Sequence, residues 1–165
     1  MASYRKLHLF DVDLRAAGGP RFTESACTVP GDAVVCCDTE VGRLGLSICY
    51  DLRFPELYRA LRDDGASLLS VPAAFTVPTG RAHWHTLLRA RAIENQCWLL
   101  APAQWGPHDD NGIRESYGHA LIVDPWGTIV AECGDGLGVC YADLDLQRMR
   151  DVRGRIPVGS HRRLK

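Results

Sequence analysis

The pattern of apolar and polar residues in the first part of the chain predicts two strands and a helix. Residues 6–14 alternate in polarity as a half-buried strand does, and the mostly apolar residues 43–49 are typical of a strand inside a sheet. A proline at the start, leucines four positions apart and a following glycine predict a short helix over residues 55–64.

The pattern of apolar and polar residues predicts further strands and a second helix between residues 67 and 143. Residues 67–75 and 97–103 read as apolar strands, and residues 80–95 between them carry one helical stripe formed by Trp84, Leu87, Leu88 and Ala92. The turn DPWG within residues 119–133 predicts a hairpin, and a further strand is expected at residues 138–143. Strands that alternate with helices usually lie parallel, so the predicted fold class is α/β, in layers.

The final residues, 146–165, are rich in arginine. They predict either a short helix and arm on a partner subunit or a solvated tail, because charged segments serve both roles. No internal repeat, low-complexity tract or linker divides the chain, so we expect one compact domain.

The composition of the chain argues against two classes of binding partner, nucleic acids and membranes. The chain carries 19 Lys and Arg against 20 Asp and Glu, and 46% of its residues are hydrophobic. Balanced charge gives no strong attraction for a phosphate backbone, and no apolar run reaches the roughly 18 residues that span a bilayer. We expect a protein that binds neither nucleic acid nor membrane.

Cysteine usage indicates the compartment. The seven cysteines are an odd number, none forms a CxxC pair, and the N-terminus lacks the apolar core of a secretory signal. We therefore expect a reducing, cytoplasmic location, with most of the thiols buried as packing residues.

Cys49 stands out because it ends an apolar strand a few residues before a predicted helix. At the carboxyl edge of a sheet and near a positive helix end, a thiolate with a lowered pKa is favoured and is a competent nucleophile. The backbone N–H groups of Tyr50 and Asp51 are placed to receive an oxyanion. From position alone, a buried core thiol is the commoner outcome.

A nucleophilic cysteine needs partners that handle protons. The sequence offers Lys6 before the first strand, Glu24 in the segment TES, Glu56 and Glu94 on the two predicted helices, and several histidines. Spacing does not choose among them, and charged residues such as Lys6 and Glu24 are by default exposed on the surface.

A second set of residues offers possible metal ligands: His8, Asp11, Asp13, His83 and His85. On a strand, Asp11 and Asp13 share one face while His8 takes the other. On a helix, the two remaining histidines point about 200° apart. The set does not converge, so we expect no metal site.

The segment GLSICYDLRFPELYR, which contains Cys49, closely resembles the nucleophile motif of the nitrilase superfamily, the carbon-nitrogen hydrolases. YRKLHLFDVD resembles the lysine segment of that family, and FTES resembles the segment that bears its second glutamate. HWHTLLRARAIENQCWLLAPAQWG and SYGHALIVDPWGTIVAE are similar to its later helix and strands. The resemblance covers almost the whole chain, and its motifs are specific.

The resemblance implies roles for particular residues. Cys49 is the nucleophile, Lys6 stabilises the tetrahedral intermediate, and Tyr50 supplies a backbone N–H to the oxyanion. Glu24 is the glutamate that positions the lysine. In the family mechanism the thiolate attacks an amide carbonyl, an amine or ammonia leaves, and water hydrolyses the thioester with a glutamate as general base. No metal or organic cofactor is implied.

The resemblance also implies a fold and a substrate. The family fold is a four-layered α-β-β-α sandwich whose subunits usually pair through a helical face, so we expect a homo-oligomer. RARAIENQCW and YGHALIVDPWG are most similar to the deaminated glutathione amidases, which release 2-oxoglutarate and cysteinylglycine, and next to the omega-amidases. Arg53 and Arg81 are candidate substrate anchors, because arginine binds carboxylates bidentately.

The general-base glutamate of the family lies in a segment upstream of the YRK motif, which begins here at Tyr4. We accordingly expect residues 1–145 to be the C-terminal portion of the hydrolase domain, incomplete at the N-terminus, with an unpaired sheet edge. A mitochondrial form would require an upstream targeting segment. The functions left open are a deaminated glutathione amidase, an omega-amidase acting on 2-oxoglutaramate-type amides, and a catalytically silent subunit that pairs with a full-length partner.

Overall fold

The computed structural model describes residues 2–17, 20–111 and 113–164. Its strands are β1 (Asp11–Asp13), β2 (Arg21–Thr23), β3 (Cys36–Thr39), β4 (Gly42–Leu46), β5 (Leu68–Ser70), β6 (Trp98–Ala101), β7 (Trp105–Pro107), β8 (Glu115–Tyr117), β9 (Leu121–Val123) and β10 (Ile129–Glu132). Its α-helices are α1 (Pro55–Asp63), α2 (Val77–Asn95), α3 (Leu146–Arg155) and α4 (Val158–His161).

Six strands form a central mixed sheet in the order β10-β9-β6-β5-β4-β3. β4, β5 and β6 run parallel, with Leu44 opposite Leu68 and Leu68 opposite Trp98. The connections between these strands run through α1 and α2, because parallel neighbours need a crossover. The remaining pairs in the sheet are antiparallel, and β1–β2 and β7–β8 form separate two-stranded sheets.

Different layers cover the two faces of the sheet. Alternation along β6 sends Leu99 to one face and Trp98 to the other. Leu99 packs in a cluster with Tyr58 of α1 and Trp84 of α2, whereas Trp98 packs with Met149 of α3. This layered arrangement of helices on a mixed sheet confirms the predicted α/β class.

The predicted helices and central strands are confirmed. The helix expected over residues 55–64 is α1, and the apolar runs that follow β3 contain β4, β5 and β6. The predicted hairpin is the antiparallel pair β9–β10. α2 begins at Val77, before the predicted residue 80, because Pro78 fits its first turn.

Two of the strand predictions are wrong. Only Asp11–Asp13 of residues 6–14 forms a strand, because side chains hold the preceding backbone: Glu24 accepts the N–H of Phe10 and Asp51 that of His8. Residues 138–143 form no strand. Cys140 and Ala142 pack partly against the cluster that contains Trp98, whereas Val139 and Tyr141 remain exposed, and the segment crosses this face without pairing with a strand.

Of the two alternatives for residues 146–165, the helix forms over Leu146–Arg155. Asp145 caps it by accepting the N–H groups of Gln147 and Arg148 at 2.7 and 3.2 Å. Met149 and Val152 are buried, so α3 packs on the sheet of its own chain. Within the described ranges, no helix is both long and apolar enough to cross a membrane.

Candidate active site

Cys49 lies just beyond the carboxyl end of β4 and opens a short 3-10 turn over Cys49–Arg53. Its φ of +48° lies in the left-handed region, which residues other than glycine rarely adopt. The Cys49 N–H donates to the carbonyl of Pro72, beyond β5, at 2.9 Å, and this bond helps to hold the unusual backbone. Strained residues of this kind concentrate at functional sites.

A cavity of about 790 Å³ opens beside Cys49. Its lining includes the residues that follow the parallel strands: Cys49 after β4, Ala73 after β5 and Ala103 after β6. The carboxyl ends of parallel strands are where α/β proteins usually bind ligands. Lys6 and Glu24 line the same cavity, so the fold brings these two predicted partners to Cys49.

Lys6 and Glu24 form an ion pair, with Nζ 2.5 Å from Oε2. The same Oε2 accepts the backbone N–H of Phe10 at 2.6 Å. The Lys6 side chain is only 10% exposed, so its charge is screened less by water than a surface lysine's would be. Glu24 therefore holds the ammonium in the cavity and is itself held by the backbone.

Asp51 joins the turn that carries Cys49 to the N-terminal segment. It is completely buried, and its carboxylate accepts the N–H of Ile48 at 2.9 Å, the N–H of His8 at 3.0 Å and the hydroxyl of Tyr4 at 2.8 Å. The Nδ1 of His8 also lies 2.8 Å from this carboxylate. The sequence analysis assigned a role only to the backbone N–H of Asp51. The position of this carboxylate in a turn, between Tyr50 and Leu52, was the one sign in the sequence that its side chain has a structural role.

Burial raises the pKa of the Cys49 thiol above its ordinary value. A hydrogen bond with the backbone of Ala74 and the charge of Lys6 lower that pKa, and the carboxylates of Glu24 and Asp51 raise it. The predicted lowering is therefore wrong, because desolvation outweighs the nearby positive charge. The raised pKa favours the thiol over the thiolate, so attack by sulfur is helped by a base.

The Tyr50 ring packs edge-on against two aromatic residues. Its centroid lies 5.0 Å from that of Phe10 and 5.4 Å from that of Phe54. These contacts fix the peptide that follows Cys49, which is the peptide predicted to donate its N–H to an oxyanion. Tyr50 and Cys49 also line a second, small cavity beside the large one.

The two arginines predicted to anchor a carboxylate do not line the large cavity. The Arg53 guanidinium lies over the ring of Phe75, 5.1 Å from its centroid, and burial lowers the pKa of Arg53. Arg53 borders the small cavity that Cys49 also lines. Arg81 is exposed on α2 and lines neither cavity.

The β7–β8 hairpin and its loop supply further polar groups to the large cavity, from His108, Arg114 and Ser116. His108 Nε2 lies 2.8 Å from Ser116 Oγ, and the Arg114 guanidinium pairs with the Asp110 carboxylate. The sequence analysis did not single out these three residues, because they reach the cavity only through the pairing of β7 with β8.

The five possible metal ligands named from the sequence do not converge on one point. His8 contacts Asp51, and Asp13 pairs with Arg15 on the surface. On α2, His83 contacts Arg53 and His85 contacts Glu132.

Comparison with known proteins decides the family. The model of the carbon-nitrogen hydrolases matches residues 1–154. The chain belongs to this family. This carbon-nitrogen hydrolase is 53% identical over 163 residues to the nitrilase and fragile histidine triad fusion protein NitFhit of Caenorhabditis elegans. The matched region is 98% of this chain and 36% of NitFhit. The crystal structure of NitFhit matches with a TM-score of 0.90 and 53% identity over 98% of this chain and 39% of the other.

Two further carbon-nitrogen hydrolases bear on the site. Deaminated glutathione amidase of Homo sapiens is 49% identical over 164 residues, 99% of this chain and 49% of that protein. An amidase from Nesterenkonia sp. AN1, whose structure shows the result of Michael addition of acrylamide at the active site cysteine, is 31% identical with a TM-score of 0.73, over 97% of this chain and 58% of the other. The present chain thus spans less than half the length of NitFhit and of the human amidase.

Proposed function

We propose that this chain is the nucleophile-bearing part of a cysteine-dependent amidase that hydrolyses deaminated glutathione to 2-oxoglutarate and cysteinylglycine. The observation that carries the proposal is the meeting of Cys49, at a strained φ of +48°, with the Lys6–Glu24 pair in one cavity. The similarity to proteins named deaminated glutathione amidase supports the choice of substrate.

In the proposed reaction the Cys49 sulfur forms a bond to the amide carbonyl carbon. The Lys6 ammonium and the Tyr50 backbone N–H stabilise the negative charge that develops on the carbonyl oxygen. The C–N bond then breaks, the amine leaves with a proton, and a 2-oxoglutaryl thioester remains on Cys49. Water hydrolyses the thioester, which releases 2-oxoglutarate and restores the thiol.

The proposal separates the roles of two carboxylates. Glu24 positions Lys6, because its Oε2 already accepts hydrogen bonds from Lys6 and from the Phe10 backbone. A second carboxylate is needed to take the thiol proton, pass it to the leaving amine and activate water. The resemblance to the family assigns that role to a glutamate in the segment upstream of the YRK motif.

The size and chemistry of the cavity support an anionic, peptide-like substrate. A volume of about 790 Å³ lies within the usual range for ligand pockets, roughly 300–1,000 Å³, and would leave much space unfilled around 2-oxoglutaramate. Arg114 lines the cavity and carries a guanidinium suited to a carboxylate. We therefore propose Arg114 as the substrate anchor, in place of Arg53 and Arg81, which do not line this cavity.

Two alternatives remain as proposals. An omega-amidase would act on the smaller 2-oxoglutaramate-type amides in the same cavity. A catalytically silent subunit, paired with a full-length partner, is supported by the commitment of Glu24 to Lys6, since that carboxylate is not free to act as base. We further propose that the protein forms a homo-oligomer. We also propose a reducing, cytoplasmic compartment, and the seven free cysteines support that location.

The test is release of 2-oxoglutarate from deaminated glutathione, measured with a coupled dehydrogenase. Cys49→Ala should abolish release, whereas Cys133→Ala, a thiol outside the large cavity, should retain it. Release that survives Cys49→Ala would contradict the proposal. Turnover of 2-oxoglutaramate alone would favour the omega-amidase, and no turnover of either amide would favour the silent subunit.

A further inference from the structure

Two histidines and a glutamate meet away from the large cavity. His85 Nε2 lies 2.7 Å from Glu132 Oε1, and His119 Nδ1 lies 3.1 Å from the same oxygen. One ligand atom from each of the three residues lies within 4.8 Å of the others. None of the three lines the cavity beside Cys49. We propose that His85, His119 and Glu132 form a binding site for a zinc ion, with water completing the coordination.

The donor set and its spacing suit zinc. Imidazole nitrogen and carboxylate oxygen are ligands that zinc prefers, and two histidines with one glutamate recur in sites that keep an open position for water. Zinc-to-ligand distances of roughly 2.0–2.1 Å place tetrahedral ligands about 3.3 Å apart. The two separations from Glu132 Oε1, 2.7 and 3.1 Å, are within an ångström of this value, and the two histidine nitrogens lie within 4.8 Å of each other.

Three different elements present the ligands. His85 is on α2, Glu132 ends β10, and His119 lies between β8 and β9. His119 has a φ of +56°, and its carbonyl accepts the indole N–H of buried Trp84 at 2.9 Å. Trp84 is the neighbour of His85 on α2, so one helix both supplies a ligand and fixes the backbone of another. The site would tie α2 to the β9–β10 hairpin.

The surroundings support a metal in a second way. A histidine that binds metal through one nitrogen commonly donates its other N–H to a carboxylate, which fixes its tautomer. His119 Nε2 lies 3.4 Å from the carboxylate of Asp135 while its Nδ1 faces the proposed ion. The side chains of His85 and Glu132 are each 32% exposed, so an ion can reach them from solvent.

The test is zinc binding by the purified chain, with Zn²⁺ alone in competition with a chromophoric chelator. We expect one tight equivalent, a loss of at least tenfold in affinity for His85→Gln and for Glu132→Gln, and no change for His161→Gln, a histidine on α4. Melting temperatures without metal show that the variants fold, and in each variant zinc should no longer raise the melting temperature. Two variants on different elements keep the test decisive if one fails to fold.

Cobalt distinguishes this site from one built on cysteine. The Co²⁺ complex should lack the intense thiolate-to-metal charge-transfer band, and Cys133→Ser, which replaces the residue next to Glu132, should bind zinc as the unaltered chain does. Equal zinc affinity in the unaltered chain and His85→Gln, a thiolate band, or failure to compete with the chelator would overturn the proposal.

Discussion

The Asp51 carboxylate accepts the backbone N–H of His8 at 3.0 Å. Asp51 lies two residues after Cys49, and His8 lies two residues after Lys6. The bond therefore fixes the segment of the proposed lysine against the turn of the proposed nucleophile. A buried carboxylate that takes no part in the chemistry thus sets the spacing of the residues that do.

Replacing Asp51 should damage both stability and turnover. Asp51→Asn turns one oxygen into a donor that faces the donors of Ile48 and Tyr4, so we expect a loss of about 2 to 4 kcal/mol in the free energy of unfolding. Turnover should fall at least tenfold because Lys6 is displaced. Urea unfolding and steady-state kinetics measure the two effects.

The matched control for that variant is Tyr4→Phe, which removes only one of the donors to Asp51. It should cost about 1.5 kcal/mol, less than Asp51→Asn, and leave most of the turnover. Equal stability and kinetics in the Asp51→Asn variant and the unaltered chain would show that the carboxylate does not set the site.

Alkylation of Cys49 should depend on pH in a direction set by burial. Because burial raises the pKa of this thiol, its reaction with iodoacetamide should still be accelerating when the pH passes the ordinary cysteine value of about 8.5. Lys6→Met removes a charge that lowers the pKa, so its profile should move to higher pH. Peptide mass spectrometry follows the modification at Cys49, and a midpoint below the ordinary value would contradict the account.

The raised pKa of Cys49 should also make the free energy of unfolding depend on pH. The folded thiol holds its proton more tightly than the unfolded chain does, because its folded-state pKa is raised. Its contribution to stability is therefore present below the ordinary pKa and is lost as pH rises through the raised value. Comparing Cys49→Ala with the unaltered chain in alkaline urea titrations should show the variant losing less stability with increasing pH.

Arg114 should determine the affinity for anionic amides. Arg114→Ala removes a guanidinium from the cavity, so KM for deaminated glutathione should rise about 10- to 100-fold, corresponding to loss of a charge-assisted hydrogen bond. KM for an uncharged amide should not change. Arg53→Ala and Arg81→Ala are the matched controls. A rise in KM for either control, with none for Arg114→Ala, would show that the anchor is the arginine predicted from the sequence and not Arg114.

Two helical glycines should respond in opposite directions to alanine. A Cβ at Gly80 of α2 would lie 2.3 Å from Cγ of Tyr117, so Gly80→Ala should destabilise the chain by about 1–3 kcal/mol. A Cβ at Gly154 of α3 meets no atom within 4 Å, so Gly154→Ala should stabilise it by about 0.5–1 kcal/mol. Thermal unfolding tests the pair, and effects of the same sign would contradict the close approach of Gly80 to the side chain of Tyr117.

Hydrophobic pattern was enough to predict the central layers. The run that contains Leu68 and Leu69 alternates between two cores, and α1 and α2 bury periodic residues such as Leu61 and Leu88. Both signals depend on neighbours within a few positions, so they can be read from the chain alone. The resemblance to a known family then named the candidates Cys49, Lys6 and Glu24 without any structure.

The rest depended on contacts between residues far apart in sequence. Asp51 binds Tyr4 and His8, more than forty positions away in sequence. Arg114 reaches the large cavity only because β7 and β8 pair. The pKa of Cys49 was predicted in the wrong direction because the sequence shows a nearby helix but not how deeply the thiol is buried. Burial is a property of the assembled layers.

The most direct test is to trap the acyl-enzyme. The chain is mixed with deaminated glutathione and quenched in acid within the first turnovers, and its peptides are weighed. We predict a 2-oxoglutaryl thioester on the peptide that contains Cys49, and none in the Cys49→Ala variant. Turnover without an adduct on Cys49, or an adduct on another of the cysteines, would contradict the central claim that this thiol is the nucleophile.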